Sequence, residues 1–246
     1  MPVTSGRQIF VPDPHTWASL SEQPILEVGV TVLAFLAAVR LARWSGNNPF
    51  LNPTLIAIVL VVIALNVTGT SYATYLRGAG FIQFLLAPTV VLLAVPLYRQ
   101  TALIRTSGGL IAAALLVGLP TGVLSAIGIA WALGASKITL LSLAPKSVTT
   151  GIAVGISEAI GGVPALTAVL VISTGIVGAI AGPAIQRWLR VDDDRFTGLA
   201  IGIAGHGIGT ARALQISEVA GAFAGLGMSL NGVLTGVLLP LAMRGL

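Results

Sequence analysis

Two short polar interruptions of otherwise apolar runs carry the residue types that could do chemistry. The first is Pro145-Lys146-Ser147-Val148-Thr149-Thr150. Proline suits the first turn of a helix, where its missing N–H would be unpaired anyway, so Pro145 predicts a helix that starts here. Lys146, Ser147, Thr149 and Thr150 would then gather a cation, hydroxyls and orphan backbone N–H groups at one helix start. Such a site suits a carboxylate or a phosphate. At about 100° per residue, Lys146, Thr150 and Ser157 fall within roughly 40° of one another, which predicts one polar stripe. The competing reading is a lysine that snorkels to an interface, its neighbouring hydroxyls bonded back to carbonyls.

The second interruption is Gly205-His206-Gly207-Ile208-Gly209-Thr210. Each glycine costs a helix about 1 kcal/mol relative to alanine, which predicts an unwound segment or a close backbone approach. His206 and the Thr210 hydroxyl, with the backbone of Gly207 and Gly209, could bind an anion, and the imidazole could carry a proton near neutral pH. Tight helix packing in lipid explains the glycines without any ligand, but not the histidine. Glu158 is a second candidate for carrying a proton or pairing with Lys146, although one straight helix would hold the two about 18 Å apart. Arg212 reads as a substrate counter-ion or an interfacial anchor. The glycine string is not a dinucleotide fingerprint, because no strand precedes it and no acidic residue follows at the needed distance. No nucleophile elbow and no acid/base pair of carboxylates is evident, so the sequence points away from an enzyme. With no Cys and two His, neither a metal site nor a cofactor is expected.

A membrane must position these residues. Of the 246 residues, 55% are hydrophobic and only 9% charged, against about 25% charged in an ordinary soluble domain. The formal charge of +5 is too dispersed for a nucleic-acid partner. A helix needs about 20 residues to cross the hydrocarbon, and candidate spans lie at 25–42, 53–68, 81–97, 108–133, 164–186 and 219–243. The expected fold is all-α and polytopic, with about six full transmembrane helices plus broken or re-entrant elements at 138–162 and 196–214. Pro120 predicts a kink or tilt in the fourth span. Residues 1–24 read as a polar tail without a signal-peptide pattern, and 25–246 as a single transmembrane domain. Arg40 and Arg43, Arg99 and Arg105, and Arg187, Arg190 and Arg195 fill three connectors, which the positive-inside rule places in the cytoplasm. That requires the Lys146 segment to enter and leave by one face, and it puts the N-terminus outside. Trp17, Trp44, Trp131 and Trp188 fall near span ends, as an interfacial belt would have them. The Asp192-Asp193-Asp194 run reads as a solvated loop, and Glu218 after Ser217 as a helix start. Leu86-Ala87-Pro88-Thr89-Val90 echoes Leu143 to Val148, and Pro53 to Leu60 echoes Pro164 to Val171, the kind of pattern expected of inverted repeats in a transporter.

The run Ser142-Leu143-Ala144-Pro145-Lys146-Ser147-Val148-Thr149-Thr150 closely resembles the CidB/LrgB family of bacterial membrane proteins. Four further runs match in order: Leu51-Asn52-Pro53, Ala94 to Gln100, Ile160 to Ala168, and Gly205 to Ala211. The resemblance spans about residues 18–246. The chain departs from the family pattern at Gly151, commonly Pro, and at Thr89-Val90, commonly Ala-Thr.

The resemblance implies two functions. The family is named for holin/antiholin-like control of murein hydrolase activity and cell lysis. Its plant relatives look like the plastid glycolate/glycerate translocator, and bacterial relatives are associated with small carboxylates such as pyruvate. Joined to the residues, this gives the first expectation, a bacterial inner-membrane transporter of small monocarboxylates of the glycolate, glycerate, lactate or pyruvate type. The Lys146 helix start and the Gly205–Thr210 break would face each other across a cavity, with Asn52 and Thr89 beside two other prolines as further lining. His206 or Glu158 would couple a proton, and an elevator-like step in a homodimer would give access. The alternative is a holin/antiholin-like pore or regulator of lysis. The resemblance also implies a smaller LrgA-like membrane partner.

Overall fold

The computed structural model describes residues 24–45, 51–92 and 94–243, which are helical with no strand among them. Residues 1–23, including Trp17, lie outside the described residues, and so does the side chain of Thr89. The chain forms two compact units, residues 1–46 with 53–89, and residues 47–52 with 90–246.

The first unit holds α1 (Pro24–Trp44), α2 (Pro53–Thr68), α3 (Tyr72–Gly78) and most of α4 (Gly80–Leu92). Proline opens both α1 and α2, the position its ring tolerates best. Gly69 at φ 67° supplies the left-handed residue that ends α2, and α3 leaves it at a 117° bend. Ser71 starts α3 by accepting a hydrogen bond from the Thr74 N–H at 3.2 Å. The α1 helix packs on α2 and α3, and the Thr31 and Tyr75 hydroxyls lie 2.8 Å apart across the α1–α3 contact.

The second unit holds α5 (Ala94–Arg99), α6 (Thr101–Thr106), α7 (Gly108–Ala132), α8 (Lys137–Leu143), α9 (Thr150–Ile160), α10 (Pro164–Trp188), α11 (Asp194–Ile216) and α12 (Glu218–Met243). Its centre is the α11–α12 pair. A Cβ added to Gly198 or Gly202 would run into the backbone oxygen of Ala220 or Ala224, so these glycines let two helices approach to backbone contact. Phe223 and Leu199 pack with Ile111, Leu115 and Ile203 in one buried cluster, and Val148, Ala153, Ile156, Val171 and Leu239 form another with Val123. At the α11 start Asp193 caps the helix, and Asp194 accepts from the Ser217 hydroxyl at 2.6 Å. The expected acidic loop is thus partly a clamp on the α12 start, where Ser217 also accepts from the Ala220 N–H at 3.0 Å.

Among the described residues, four helices are long and apolar enough to cross a membrane, 25–44, 108–132, 164–188 and 218–243, and the bent α2–α3 pair would make a fifth. The expected span at 81–97 is divided between α4 with 13 residues and α5 with 6, each too short to cross alone. Leu116, Val117, Leu124 and Ile129 of α7 are 63–76% exposed, a face that only lipid can solvate at no cost. Trp44, Trp131 and Trp188 stand exposed at the ends of α1, α7 and α10, as an interfacial belt requires. The protein is a multi-pass membrane protein.

Candidate functional site

The Lys146 segment is a true break, but the helix does not begin at proline. After α8 the chain makes two tight turns, with the Lys146 N–H donating to Leu143 at 3.1 Å and the Val148 N–H to Pro145 at 3.2 Å. It then extends through Thr149 (φ −62°, ψ 148°), and α9 starts at Thr150. Pro145 is buried inside this turn, and two of the N–H groups expected to be free are used up by it. The orphan donors sit instead at the first turn of α9, where Thr149 makes no side-chain cap.

Lys146 is half-buried in the turn. Its ammonium forms no hydrogen bond or ion pair with a described residue. The predicted stripe through Ser157 does not exist, because residues 146 and 157 do not share one helix. Ser157 is fully buried, and its Oγ lies 2.7 Å from that of Thr167, which also donates to the Ser142 carbonyl at 2.9 Å. The Ser142 hydroxyl in turn accepts from the Val163 N–H at 2.8 Å. This knot fastens α8, α9 and the α10 start together and leaves Ser157 no lone role at the site. Glu158 points outward, exposed, and is not brought to Lys146. The Ser147 hydroxyl faces α7, 3.3 Å from where a Cβ on Gly122 would lie. Thr150 and Thr149 are partly exposed beside the uncapped helix start.

The second break is confined to a single residue. His206 has φ 41° and ψ −132°, and helix continues on both sides. For a non-glycine residue this conformation costs on the order of 1–3 kcal/mol unless its surroundings enforce it. They do so: the imidazole Nε2 is 2.9 Å from the Val171 carbonyl, and the Thr210 hydroxyl donates to the His206 carbonyl at 2.8 Å. A carbonyl can only accept, so Nε2 carries the hydrogen and Nδ1 is the nitrogen left to receive a proton. The turn is so sharp that a Cβ on Gly209 would lie 2.5 Å from the Ile201 oxygen, whereas Gly207 is open and exposed. The predicted close approach thus belongs to Gly209, and unwinding to His206 alone.

Asn231 of α12 joins the two breaks directly. Its side-chain amide donates to the Ser147 carbonyl at 3.0 Å and to the Ile203 carbonyl at 3.3 Å. Sequence reasoning missed Asn231; its signal is a lone amide in the middle of the last apolar span. It also missed Glu27 in the first unit, a buried carboxylate on α1 packed against Gly78, with Oε2 unpartnered among the described residues. Arg212 donates to Gln215 Oε1 at 2.9 Å, and Asn52 is buried just before α2. Of the echoes, Pro53 and Pro164 both open long helices, whereas 86–90 is helix and 144–148 is turn.

The comparisons with known proteins agree with one another. The LrgB-like family profile matches residues 31–244. An uncharacterized Bacillus subtilis (strain 168) protein, YxaC, is 39% identical over 89% of this chain and 95% of its own length. The holin-like protein CidB of Staphylococcus aureus (strain Mu50) is 35% identical over 89% of this chain and 95% of its own. A second uncharacterized Bacillus subtilis protein, YwbG, is 33% identical over 86% of this chain and 93% of its own. No solved structure matches. With the profile covering nearly the whole chain and relatives aligned over most of both lengths, this protein belongs to the LrgB-like family.

Proposed function

We propose that the protein moves small monocarboxylates of the glycolate, glycerate, lactate or pyruvate type across a bacterial cell membrane. The observation that carries this reading is the unpaired, half-buried Lys146 ammonium beside the uncapped start of α9. Intramembrane cations of this kind pair with something, and no described residue offers Lys146 an anion. A carboxylate of the substrate completes the pair, supported by the orphan N–H groups of α9 and the Thr149 and Thr150 hydroxyls. A phosphate would satisfy the same donors. The family resemblance favours the lighter anion. His206, with Nδ1 open to a proton, is the coupling group of this proposal; Glu158, exposed and apart from Lys146, is dropped. Because Asn231 ties both breaks to α12, they travel as one body, which suits an elevator-like step. A homodimer, an LrgA-like partner and an extracytoplasmic N-terminus complete the proposal.

Reconstitution in vesicles tests it. Labelled glycolate should enter saturably, and Lys146→Ala should raise the half-saturating concentration about 30-fold or more, since breaking a desolvated ion pair costs about 2–5 kcal/mol. Full uptake by that variant, or none by the wild type, refutes the proposal.

A second reading rests on the printed name of the Staphylococcus relatives, holin-like protein CidB, which speaks for a lysis-linked pore more directly than any name speaks for a carboxylate. It predicts oligomers above a dimer and leakage of trapped dye, indifferent to competing acids and to Lys146→Ala. Activity only with an LrgA-like protein present would make the chain a subunit of a joint assembly.

A further inference from the structure

Asp194 opens α11 and Ser217 follows its last residue, yet the Ser217 hydroxyl donates to the Asp194 carboxylate at 2.6 Å. One straight helix would hold these two residues about 34 Å apart. The chain therefore folds back on itself at His206, where φ is 41° and ψ −132°. Just beyond the turn the arms lie side by side, a Cβ on Gly209 reaching to 2.5 Å from the Ile201 oxygen. Each arm, 194–205 or 207–216, is about 15–18 Å long, roughly half of what the hydrocarbon requires. Two further contacts fix which face holds the mouth of this hairpin. Arg195 donates to the Ser107 hydroxyl at 3.2 Å, at the start of α7, and Arg99 pairs with Glu218 at 3.5 Å, at the start of α12. The starts of α7, α11 and α12 thus share one face with the end of α10.

We propose that residues 194–216 plug the membrane half-way from the cytoplasmic face, and that residues 137–162 plug it half-way from the opposite face. Both α7 and α10 are long enough to span. One runs away from the shared face and the other returns to it, so the segment between them starts and ends on the far side. The knot of Ser142, Ser157, Val163 and Thr167 holds α8 and α9 beside the start of α10, which makes that segment a second hairpin with Lys146 in its turn. The tips meet at Asn231, about 20 Å along α12, which bonds Ser147 in one hairpin and Ile203 in the other. Irregular backbone at membrane depth must be enclosed by protein, and Pro145, Val148 and His206 are buried. Charge agrees with this path. Arg99, Arg105, Arg187, Arg190, Arg195 and Arg212 fall on the shared face, and Lys137 and Glu158 on the other, which makes the arginine face cytoplasmic. Were α11 one span, Arg212 would lie on the wrong side. The proposal does not rest on the carboxylate reading: opposed half-length plugs tied at their tips shut the membrane from both faces, and whatever crosses must move them.

The chain has no cysteine, so a single introduced thiol reports its own side of the membrane. Asp192→Cys and Gln215→Cys flank the first hairpin, Lys137→Cys and Glu158→Cys the second, all at exposed positions. With a membrane-impermeant maleimide applied to cells expressing the full chain, Lys137→Cys and Glu158→Cys should label while the cells are intact. Asp192→Cys and Gln215→Cys should label only after lysis. In a chain carrying Asp194→Cys together with Ser217→Cys, a short bifunctional thiol reagent should join the two thiols, read as one bridging addition in the intact mass. Gln215→Cys and Asp192→Cys labelling from opposite faces would mean that α11 crosses as one span, and would overturn the proposal. Opposite faces for Lys137→Cys and Glu158→Cys, or one face for all four, would overturn it equally. The four single variants change exposed side chains only, so they decide the matter even where the double variant fails to fold.

Discussion

The His206 break can be probed without touching His206. On α10, Gly175 faces the imidazole so closely that a Cβ there would stand 2.7 Å from Cε1 and 2.9 Å from Nε2. Carbon atoms settle at about 3.5–4.0 Å, so Gly175→Ala requires the ring to retreat by about 0.8 Å or more. A displacement of that size stretches the 2.9 Å bond to Val171 past the range in which it counts as one. Leaving that pair unmade costs about 1–3 kcal/mol, and the overpacking costs a similar amount. Alanine returns up to about 1 kcal/mol in helix propensity. The net loss is about 3 kcal/mol, or about 6–12 °C in unfolding midpoint for a chain of this size. Gly207→Ala is the matched control. Nothing lies within 4 Å of a Cβ at Gly207, and its φ is not left-handed, so the same chemical change there should leave the midpoint unchanged or slightly raised. Thermal unfolding of both variants in detergent, read by circular dichroism, decides the matter. A stable Gly175→Ala beside a damaged Gly207→Ala would show that the imidazole is not held where the fold places it.

Two further outcomes follow from the same structure. His206→Gly and His206→Ala both lose the Val171 bond, but only glycine is at ease at φ 41°, so the glycine variant should be the more stable by about 1 kcal/mol; equal midpoints would deny that the break is strained. In the loop before α11, Arg195 holds the Asp193 carboxyl below its ordinary range through side-chain hydrogen bonds, with Nη2 at 2.6 Å. A carboxyl depressed in the folded state stabilises fully above its unfolded value of about 3.9, and that contribution fades as pH falls through the folded value. Comparing wild type with Asp193→Asn should therefore give a constant, small difference in midpoint from pH 7 down to about 5, shrinking only in more acid solution; a difference that changes near neutrality would contradict the assignment.

Both breaks are legible in the sequence because a helix in lipid announces its interruptions, with proline and lysine at 145 and 146, and with alternating glycines around His206. Their internal geometry is less legible. Proline is at home in a helix's first turn and equally in a tight turn before one, so Pro145 alone does not fix whether α9 begins there or at Thr150. The mistaken stripe through Ser157 follows from that single ambiguity, since angular arithmetic holds only within one continuous helix. Glycine spacing likewise does not separate close helix contact, the role of Gly198 and Gly202, from a bend, the role of Gly209. Asn231 is invisible for another reason. A lone amide in an apolar run has no periodicity of its own, and its meaning comes from carbonyls 84 and 28 residues away in sequence.

In a membrane the accounting of polar groups separates structure from function more sharply than it does in water. The Ser142–Ser157–Thr167 knot, the Thr31–Tyr75 pair and the Thr210 hydroxyl all have partners, and their presence is explained by the helices they fasten. Among the described residues Lys146 and the Oδ1 of Asn231 have none, and the apolar interior around Asn231 raises the cost of leaving its oxygen so. Sequence separates Asn231 widely from both breaks, and its amide, bonded to the Ser147 and Ile203 carbonyls, ties them together in the second unit. In the proposed function a substrate carboxylate is what pairs the Lys146 ammonium beside the uncapped start of α9, and uptake unchanged by Lys146→Ala would remove that argument.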